Sequence, residues 1–131
     1  MPRASATFVN TTYAEEPYDD RDGTVLGRIH ITRAFEGDLE GESSAELLTA
    51  RTEAGSATYL ALDRIACRLG ERSGSFVLAH HGTVSETGSA NAASVVPDSG
   101  TGELEGLRGQ GSISVDDDGT HRLALDYGFD R

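Results

Sequence analysis

The stretch HRLALDYGF, residues 121–129, decides the fold of this chain. Its odd positions carry the larger apolar side chains: Leu123, Leu125, Tyr127 and Phe129. A period of two places these side chains together on one face of a β-strand, as in a half-buried sheet. The same alternation runs through residues 29–35 and 76–84, and no segment carries a convincing helical stripe. The sequence therefore predicts an all-β protein.

Further segments of this kind complete a set of about eight predicted strands. They lie at residues 4–13, 29–35, 43–52, 57–69, 75–85, 89–96, 111–116 and 121–129. Turn-forming residues separate them, among them Asp22-Gly23, Gly37-Asp38 and the run from Gly70 to Gly74. We expect an eight-stranded antiparallel up-and-down β-barrel, because closure removes both exposed sheet edges. An open sandwich is the alternative.

The composition limits the class of protein. With 131 residues and 13.8 kDa, the chain has the length of one domain, residues 1–131. A net charge of -11 disfavours nucleic acid and anionic membranes as partners. No apolar run is long enough to span a membrane and no signal-like segment opens the chain, so we expect a cytoplasmic protein. Every basic residue is an arginine, which excludes lysine chemistry, and the single Cys67 cannot form an internal disulfide or a cysteine-based zinc site.

Four stretches of the sequence resemble a family of small uncharacterised bacterial proteins. They are EEPYD at 15–19, FEGDLEG at 35–41, RSGSFVLAH at 72–80 and SVVPDSGTGELEGLRG at 94–109. Together they cover nearly the whole chain in the order of that family, which has the allene oxide cyclase-like barrel fold. The resemblance implies a loop at 15–19 after the first strand and a bulged glycine-rich segment at 99–109 on the barrel rim.

The resemblance also implies a function. Relatives on this fold hold a hydrophobic molecule in the barrel lumen and direct its cyclisation or coupling without a cofactor. This sequence has Tyr13 and Ala93 where the bacterial family usually has tryptophan, so the lumen is enlarged if Ala93 faces inward. The carboxylate that plant allene oxide cyclases carry on their first strand has no counterpart in residues 4–12. The plant catalytic set therefore does not transfer to this chain.

Asp63 and His80 are the predicted catalytic pair. They lie on neighbouring predicted strands, and a hairpin centred within Gly70–Gly74 would place Asp63 opposite His80 or His81. A carboxylate and an imidazole on one apolar face have to pair, because burying either charge alone costs several kcal/mol. An imidazole held by a carboxylate is a general acid/base near neutral pH. A purely structural pair in a filled lumen is the alternative.

Other side chains complete the predicted site. Glu46 is expected either to face inward, as a third catalytic residue at the pocket floor, or to lie on a solvated face. The predicted substrate-binding residues are Tyr59, Phe76, Leu78, Ala93, Tyr13, Tyr18 and Arg64. Of these, Tyr13 and Tyr18 are expected at the barrel mouth. Arg64, like Arg33, either binds a substrate carboxylate or pairs with a carboxylate of the protein.

The sequence favours a cofactor-independent cyclase or isomerase that acts on a hydrophobic, polyketide- or lipid-like molecule of secondary metabolism. A non-catalytic small-molecule-binding barrel and a structural barrel with a filled lumen are the alternatives. We expect no metal and no cofactor; His80 and His81 are adjacent, so on a strand they point to opposite faces and cannot chelate together. Apolar residues on both faces of strand 57–69 indicate that its exterior packs on a partner, and another copy of the chain is one candidate.

Overall fold

A computed structural model describes residues 2–130 of the chain, and within that range the chain forms nine strands and no helix. The strands are β1 (Arg3–Arg21), β2 (Thr24–Gly37), β3 (Leu39–Thr52), β4 (Ala57–Leu69), β5 (Arg72–Ser85), β6 (Gly88–Val95), β7 (Thr101–Gly102), β8 (Leu107–Val115) and β9 (His121–Phe129).

The strands form one antiparallel sheet that closes on itself. The order around the sheet is β4-β3-β2-β1-β9-β8-β6-β5, and an additional pairing of β4 with β5 completes the ring. Among the described residues, β7 pairs with β5 alone, so it lies outside this ring of eight strands. The predicted all-β antiparallel class is confirmed, and the open sandwich is wrong because the strands share a single closed sheet.

The ring closes along only part of its height. β1 pairs with β9 through residues 3–8, and the rest of β1 pairs with β2 alone. β6 and β8 are joined by two residue pairs, Ala93 with Gly111 and Ser94 with Gln110. Beside these pairs, the Asn91 side chain donates to the carbonyl of Ile113 at 2.7 Å and accepts from its N–H at 2.8 Å. We call the end of the ring at which β1 has left β9 the open end; Thr49 and Tyr59 lie at it.

Residues 15–19 belong to β1, so the predicted loop after the first strand is wrong. They continue the pairing with β2, with a register shift between Pro17 and Asp19. Pro17 is tolerated because this half of β1 is an edge of the sheet, paired on one side alone. The two strands turn at Asp22-Gly23, whose φ angles of 55° and 80° fit a type I′ turn.

The β4–β5 hairpin turns at Gly70-Glu71. Gly70 has a φ of +61°, which suits the first position of a two-residue hairpin turn. The predicted register assumed a turn in the middle of Gly70–Gly74, and the observed turn lies earlier in the sequence. The observed register places Asp63 opposite Leu78 and not opposite a histidine, so the predicted direct pairing is wrong.

Alternate residues of the ring strands point inward and form two apolar clusters separated by a polar level. The lower cluster fills the closed part of the ring: Ala4, Ala6, Phe8, Phe35, Leu39, Ile65, Cys67, Leu69, Phe76, Leu78, Ala93, Val95, Leu104, Leu107, Leu123 and Leu125. The open-end cluster is smaller: Ile29, Ile31, Ala45, Leu47 and Ala61, with Tyr59 packed against it. Between the two clusters, β2, β3, β4 and β5 each contribute one buried polar residue: Arg33, Ser43, Asp63 and His80. We call these four residues the polar layer.

The glycine-rich segment covers the lower end of the ring. Its Leu104 is fully buried in the lower cluster, and its Thr101-Gly102 pair with Gly74 and Ser75 of β5. The predicted position of this segment on the rim is consistent with that contact.

Gly74→Ala is expected to destabilise the fold, because a Cβ at Gly74 would overlap the carbonyl oxygen of Thr101. Displacing the glycine-rich segment would withdraw Leu104 from the lower cluster, and overpacking of this kind costs about 1–3 kcal/mol. Chemical unfolding followed by circular dichroism measures the change. Ser73→Ala is the control, since Ser73 contacts the segment through its backbone N–H and carbonyl. Equal unfolding midpoints for the two variants would contradict the packing described.

Candidate functional site

The polar layer lies across four neighbouring strands at one height in the ring. Arg33, Ser43, Asp63 and His80 are 7%, 6%, 1% and 3% exposed. Along each strand, the next inward-facing residue in one direction lies at the lower cluster, and the next one in the other direction lies toward the open end. Phe35 and Ile31, for example, flank Arg33 in this way. Alternation along the strands therefore carries all four polar side chains into the interior.

Asp63 forms an ion pair with Arg33. Nη1 of Arg33 donates to Oδ2 of Asp63 at 2.9 Å, and the side chains are 8% and 1% exposed. The guanidinium also lies over the Phe8 ring, 5.1 Å from its centre. Burial raises the pKa of Asp63, while the Arg33 charge opposes that rise by favouring the carboxylate. A charge at this depth is tolerated because it is paired.

His80 lies between a phenol and this ion pair. Its Nδ1 is hydrogen-bonded to the Tyr59 hydroxyl at 3.3 Å, and the two rings meet edge to face. Its Nε2 is 3.9 Å from Oδ2 of Asp63, which is too long for a hydrogen bond. Burial, helped by the positive charge of Arg33, lowers the pKa of His80 to about 4. The imidazole is therefore neutral at neutral pH.

Tyr59 connects His80 to the open end. The side chain is only partly buried, and burial raises the pKa of its phenol while the Arg33 charge opposes the rise. Gly82, its partner on β5, leaves the space in which the ring lies, because a Cβ at Gly82 would come within 2.5 Å of Cε1 of Tyr59. The absence of a side chain at Gly82 thus sets the position of the phenol against His80.

Four buried polar atoms of the layer have no hydrogen-bond partner among the described residues. They are Nε of Arg33, Oγ of Ser43, Oδ1 of Asp63 and Nε2 of His80. Buried polar groups are nearly always hydrogen-bonded in folded proteins, so a whole level of unpartnered atoms requires a reason. The set combines a donor, an acceptor and two groups that can serve as either. It can therefore bind a small polar group from more than one side.

The structure brings most of the predicted interior residues together. The residues that point inward are His80, Asp63, Phe76, Leu78 and Ala93, and Tyr59 reaches inward from the open end. Ala93 lies in the lower cluster, so its side chain faces the interior of the ring.

Glu46 lies on the outer face of the ring, so its predicted inward orientation is wrong. Its side chain is 61% exposed, and its Oε1 is 2.9 Å from Nδ1 of His30. Ala45 and Leu47 point inward instead. The orientation was misread because β3 has apolar residues on both faces, so that Glu46 alternates equally well with Leu48.

Arg64 lies outside the interior, so its predicted lumen contact is wrong. Tyr13 and Tyr18 lie at the open end, where Tyr13 pairs with the inward-facing Ile31, and their predicted position at the mouth stays a prediction. Arg64 is exposed because its neighbours Asp63 and Ile65 occupy the inward positions of β4. Tyr13 and Tyr18 are 51% and 59% exposed on the edge half of β1. That half of the strand extends past the ring closure and does not line it.

Arg33 and Ser43 are site residues that the sequence analysis did not assign. Arg33 interrupts an alternating strand between Ile31 and Phe35, and its pairing with a carboxylate of the protein is confirmed, with Asp63 as the partner. Ser43 carried no signal of its own in the sequence. It is recognisable only through its neighbours, as the residue paired with Arg33 across β2 and β3.

Residues 2–130 contain no group of three or more His, Cys, Asp or Glu side chains placed to hold a metal ion. His81 points outward while His80 points inward, as expected for adjacent residues of a strand. Within the same range, no helix is long and apolar enough to cross a membrane.

The fold and the site define a class of small protein in which a closed antiparallel sheet surrounds a buried polar layer. The chain matches the family model described as "Protein of unknown function (DUF3224)" over residues 4–127. It therefore belongs to the DUF3224 family, which confirms the predicted membership of a family of small uncharacterised proteins.

A solved structure and the curated proteins give the remaining comparisons. The crystal structure of a protein of unknown function from the DUF3224 family of Shewanella oneidensis MR-1 is similar to this chain, with 34% sequence identity and a TM-score of 0.84. The match covers 100% of this chain and 99% of that one. No curated protein sequence matches the chain significantly.

Proposed function

We propose that the ring is an eight-stranded barrel of the allene oxide cyclase-like type, and that the protein is a cofactor-independent isomerase or cyclase acting on a hydrophobic small molecule. The observation that carries this proposal is the position of His80. It is buried and neutral, held by Tyr59 at Nδ1, with an unpartnered Nε2 beside an ion-paired carboxylate. Eight strands in the ring and a glycine-rich segment over one end support the barrel type.

Proton transfer by Nε2 of His80 is the proposed chemical step. The neutral imidazole takes a proton from a carbon or a hydroxyl of the ligand and returns it at another position, so the composition of the ligand does not change. The Asp63 carboxylate stabilises the imidazolium that exists between the two transfers. Arg33 is a positioning residue, because it holds the carboxylate through its ion pair.

The proposed ligand has an apolar body and one oxygen-bearing group. The open-end cluster beside His80 consists of aliphatic side chains, two of which are the small Ala45 and Ala61. The unpartnered atoms of Arg33 and Ser43 can bind an oxygen of the ligand at the next level. Mainly apolar walls with a few fixed polar groups are typical of small-molecule sites. Such a site increases the rate chiefly by orienting the ligand.

A barrel that binds a ligand without turnover is the second candidate, and the dense lower cluster favours it. Phe76 and Leu78, both predicted to contact substrate, are 0% and 1% exposed and pack within that cluster. The lower part of the ring is therefore filled, which leaves the open end as the proposed position of a ligand. A flexible ligand that folds over His80 in order to cyclise needs more space than a ligand that is only bound.

The test compares His80→Gln with His81→Gln, two adjacent positions of which one is buried and the other exposed. Each variant is incubated in D2O with a panel of hydrophobic enolisable ketones, and deuterium uptake by the ketones is measured by mass spectrometry. His80→Gln is expected to lower the rate by about 100-fold or more, the usual effect of losing a general base. His81→Gln is expected to behave as wild type, and circular dichroism checks the fold of both variants.

Binding is measured separately, by displacement of the apolar dye 1-anilinonaphthalene-8-sulfonate. Ligand binding by the wild-type protein with no deuterium uptake in any variant would favour the non-catalytic barrel. Equal uptake by the wild type and His80→Gln would exclude His80 as the base. Loss of fold in His80→Gln, with no ligand binding by the wild type, would favour the structural barrel with a filled lumen.

A further inference from the structure

An apolar groove crosses the outside of the ring, and we call it the outer groove. It extends over six neighbouring strands, from Arg28 on β2 to Gln110 on β8, and has a volume of about 920 Å³. Three leucines form its apolar surface: Leu48, Leu60 and Leu62, which are 50%, 58% and 59% exposed. Ala79 on β5 and Ala92 on β6 have small side chains and form the floor of the groove between the larger side chains.

This outer face departs from the pattern of a sheet with one solvated side. In such a sheet, apolar residues point to the core and polar residues to water. β4 instead alternates leucines on the outside, Leu60 and Leu62, with buried residues on the inside. A strand that is apolar on both faces is expected to be covered on both faces.

The shape of the outer groove fits a broad partner better than a small molecule. A small-molecule site encloses about 70–90% of its ligand, whereas half or more of each of these leucines is exposed on an open surface. The groove follows the curved outer surface across six of the eight strands of the ring, a path of about 24 Å if neighbouring strands are about 4.8 Å apart. A path of that length is longer than a small molecule needs.

The charge of the groove allows a second copy of the same chain to approach. The chain carries a net charge of -11, so two copies repel each other over most of their surface. The residues lining the groove include one carboxylate, Glu46, and one guanidinium, Arg28, and are otherwise uncharged if the histidines are neutral. Depletion of charge at the centre is also the compositional signal of interfaces.

Arg28 and Glu46 lie on the same rim of the groove and have opposite charges. In an interface with two-fold symmetry, residue i of one copy meets residue j of the other, and j meets i. A two-fold axis beside this rim therefore brings each Arg28 against the Glu46 of the other copy. Arg28 is available for that contact, because it joins none of the ion pairs formed within residues 2–130.

We propose that the outer groove is the surface at which two copies of this chain pair around a two-fold axis that passes between Arg28 and Glu46, with the three leucines packed beside the axis. A standard interface takes about 800 Å² from each partner, which is about a tenth of the 7993 Å² surface of this chain. The inference does not depend on the proposed chemistry inside the ring.

Sedimentation velocity of the full chain over the low to high micromolar range tests the pairing. The wild-type protein is expected to sediment at twice the mass of the 13.8 kDa chain. Leu60→Glu combined with Leu62→Glu is expected to weaken the association by about 100-fold or more, as for hot-spot residues. Val9→Glu is the matched control, since Val9 is 63% exposed and lies on β1, outside the groove, and it should stay dimeric.

Further variants separate a failure to fold from a failure to associate. If the double leucine variant fails to fold by circular dichroism, Ala92→Arg on β6 replaces it. Arg28→Glu and Glu46→Arg are each expected to weaken the dimer, and the two together to restore it, because the pair is exchanged across the axis. A monomer throughout the range, an assembly of odd order, or a dimer that survives the groove substitutions would overturn the proposal. So would a monomer whose groove binds 1-anilinonaphthalene-8-sulfonate until Leu60 is replaced, because a small molecule would then be the occupant.

Discussion

Asp63→Ala is expected to lower the free energy of unfolding by about 3–5 kcal/mol, the largest effect of any single substitution considered. The reason is the partner that remains: without the carboxylate, the Arg33 guanidinium keeps its charge in a site where its side chain is 8% exposed. Arginine cannot lose its proton to relieve this cost. Guanidinium chloride unfolding, followed by circular dichroism, measures the loss.

Two comparisons identify the ion pair as the cause. Asp126→Ala removes an exposed carboxylate that accepts two hydrogen bonds from Arg3, at 2.8 Å and 3.0 Å, and should lower the stability far less, because water screens an exposed ion pair. Arg33→Met combined with Asp63→Leu removes both buried charges. This double variant should recover most of the stability, because well-packed apolar residues often replace a buried ion pair without loss. If Asp63→Ala proved no more costly than Asp126→Ala, the buried ion pair would be refuted.

Replacing His80 by glutamine is expected to make the free energy of unfolding less sensitive to acid. Burial lowers the pKa of His80 to about 4 in the folded chain, against 6.5 for an ordinary histidine. The unfolded chain therefore binds the proton more tightly than the folded chain does. The resulting stabilisation is fully present above about pH 6.5, falls as the pH drops, and is lost by about pH 4. At about 1.4 kcal/mol per pH unit, it amounts to about 3 kcal/mol.

The measurement is a series of chemical unfolding experiments between about pH 7.5 and pH 4 on the wild type, His80→Gln and His81→Gln. Burial raises the pKa of Asp63, so protonation of that carboxyl favours the folded state at low pH and opposes the histidine effect. Asp63 is present in all three proteins, so the difference between wild type and His80→Gln isolates the imidazole. His81→Gln should follow the wild-type curve. A difference between wild type and His80→Gln that stays constant over the pH range would show that His80 is not a buried neutral imidazole.

The fold could be predicted because it depends on local pattern. Alternation in segments such as residues 121–129, with turn residues at Asp22-Gly23, is sufficient to identify antiparallel strands. Alternation fails where both faces of a strand are apolar, since nothing then distinguishes inward from outward. That is the case around Leu47 and Leu48, and it is why the sequence left both the inward and the solvated orientation of Glu46 open.

The site could be predicted only in part, because its contacts depend on register and on strands that are not neighbours. Asp63 and His80 were identified as polar residues on an apolar face, but a turn earlier than expected shifted their alignment. The true partner of Asp63 is Arg33 on β2, with β3 lying between the two strands. The Arg33 side chain passes over Ser43 on β3, whose small side chain leaves space for the guanidinium. Rules that pair residues on adjacent strands do not predict such a contact, because Arg33 and Asp63 lie on strands that are not adjacent.

The narrow connection between β6 and β8 has a consequence for how the ring moves. Two backbone pairs and the amide of Asn91 hold these strands together, whereas β1 and β9 share six pairs. Local fluctuations break the least supported hydrogen bonds first. The sheet is therefore expected to open first along this line while its other strands stay paired, which would expose the interior from the side of the ring and not from either end.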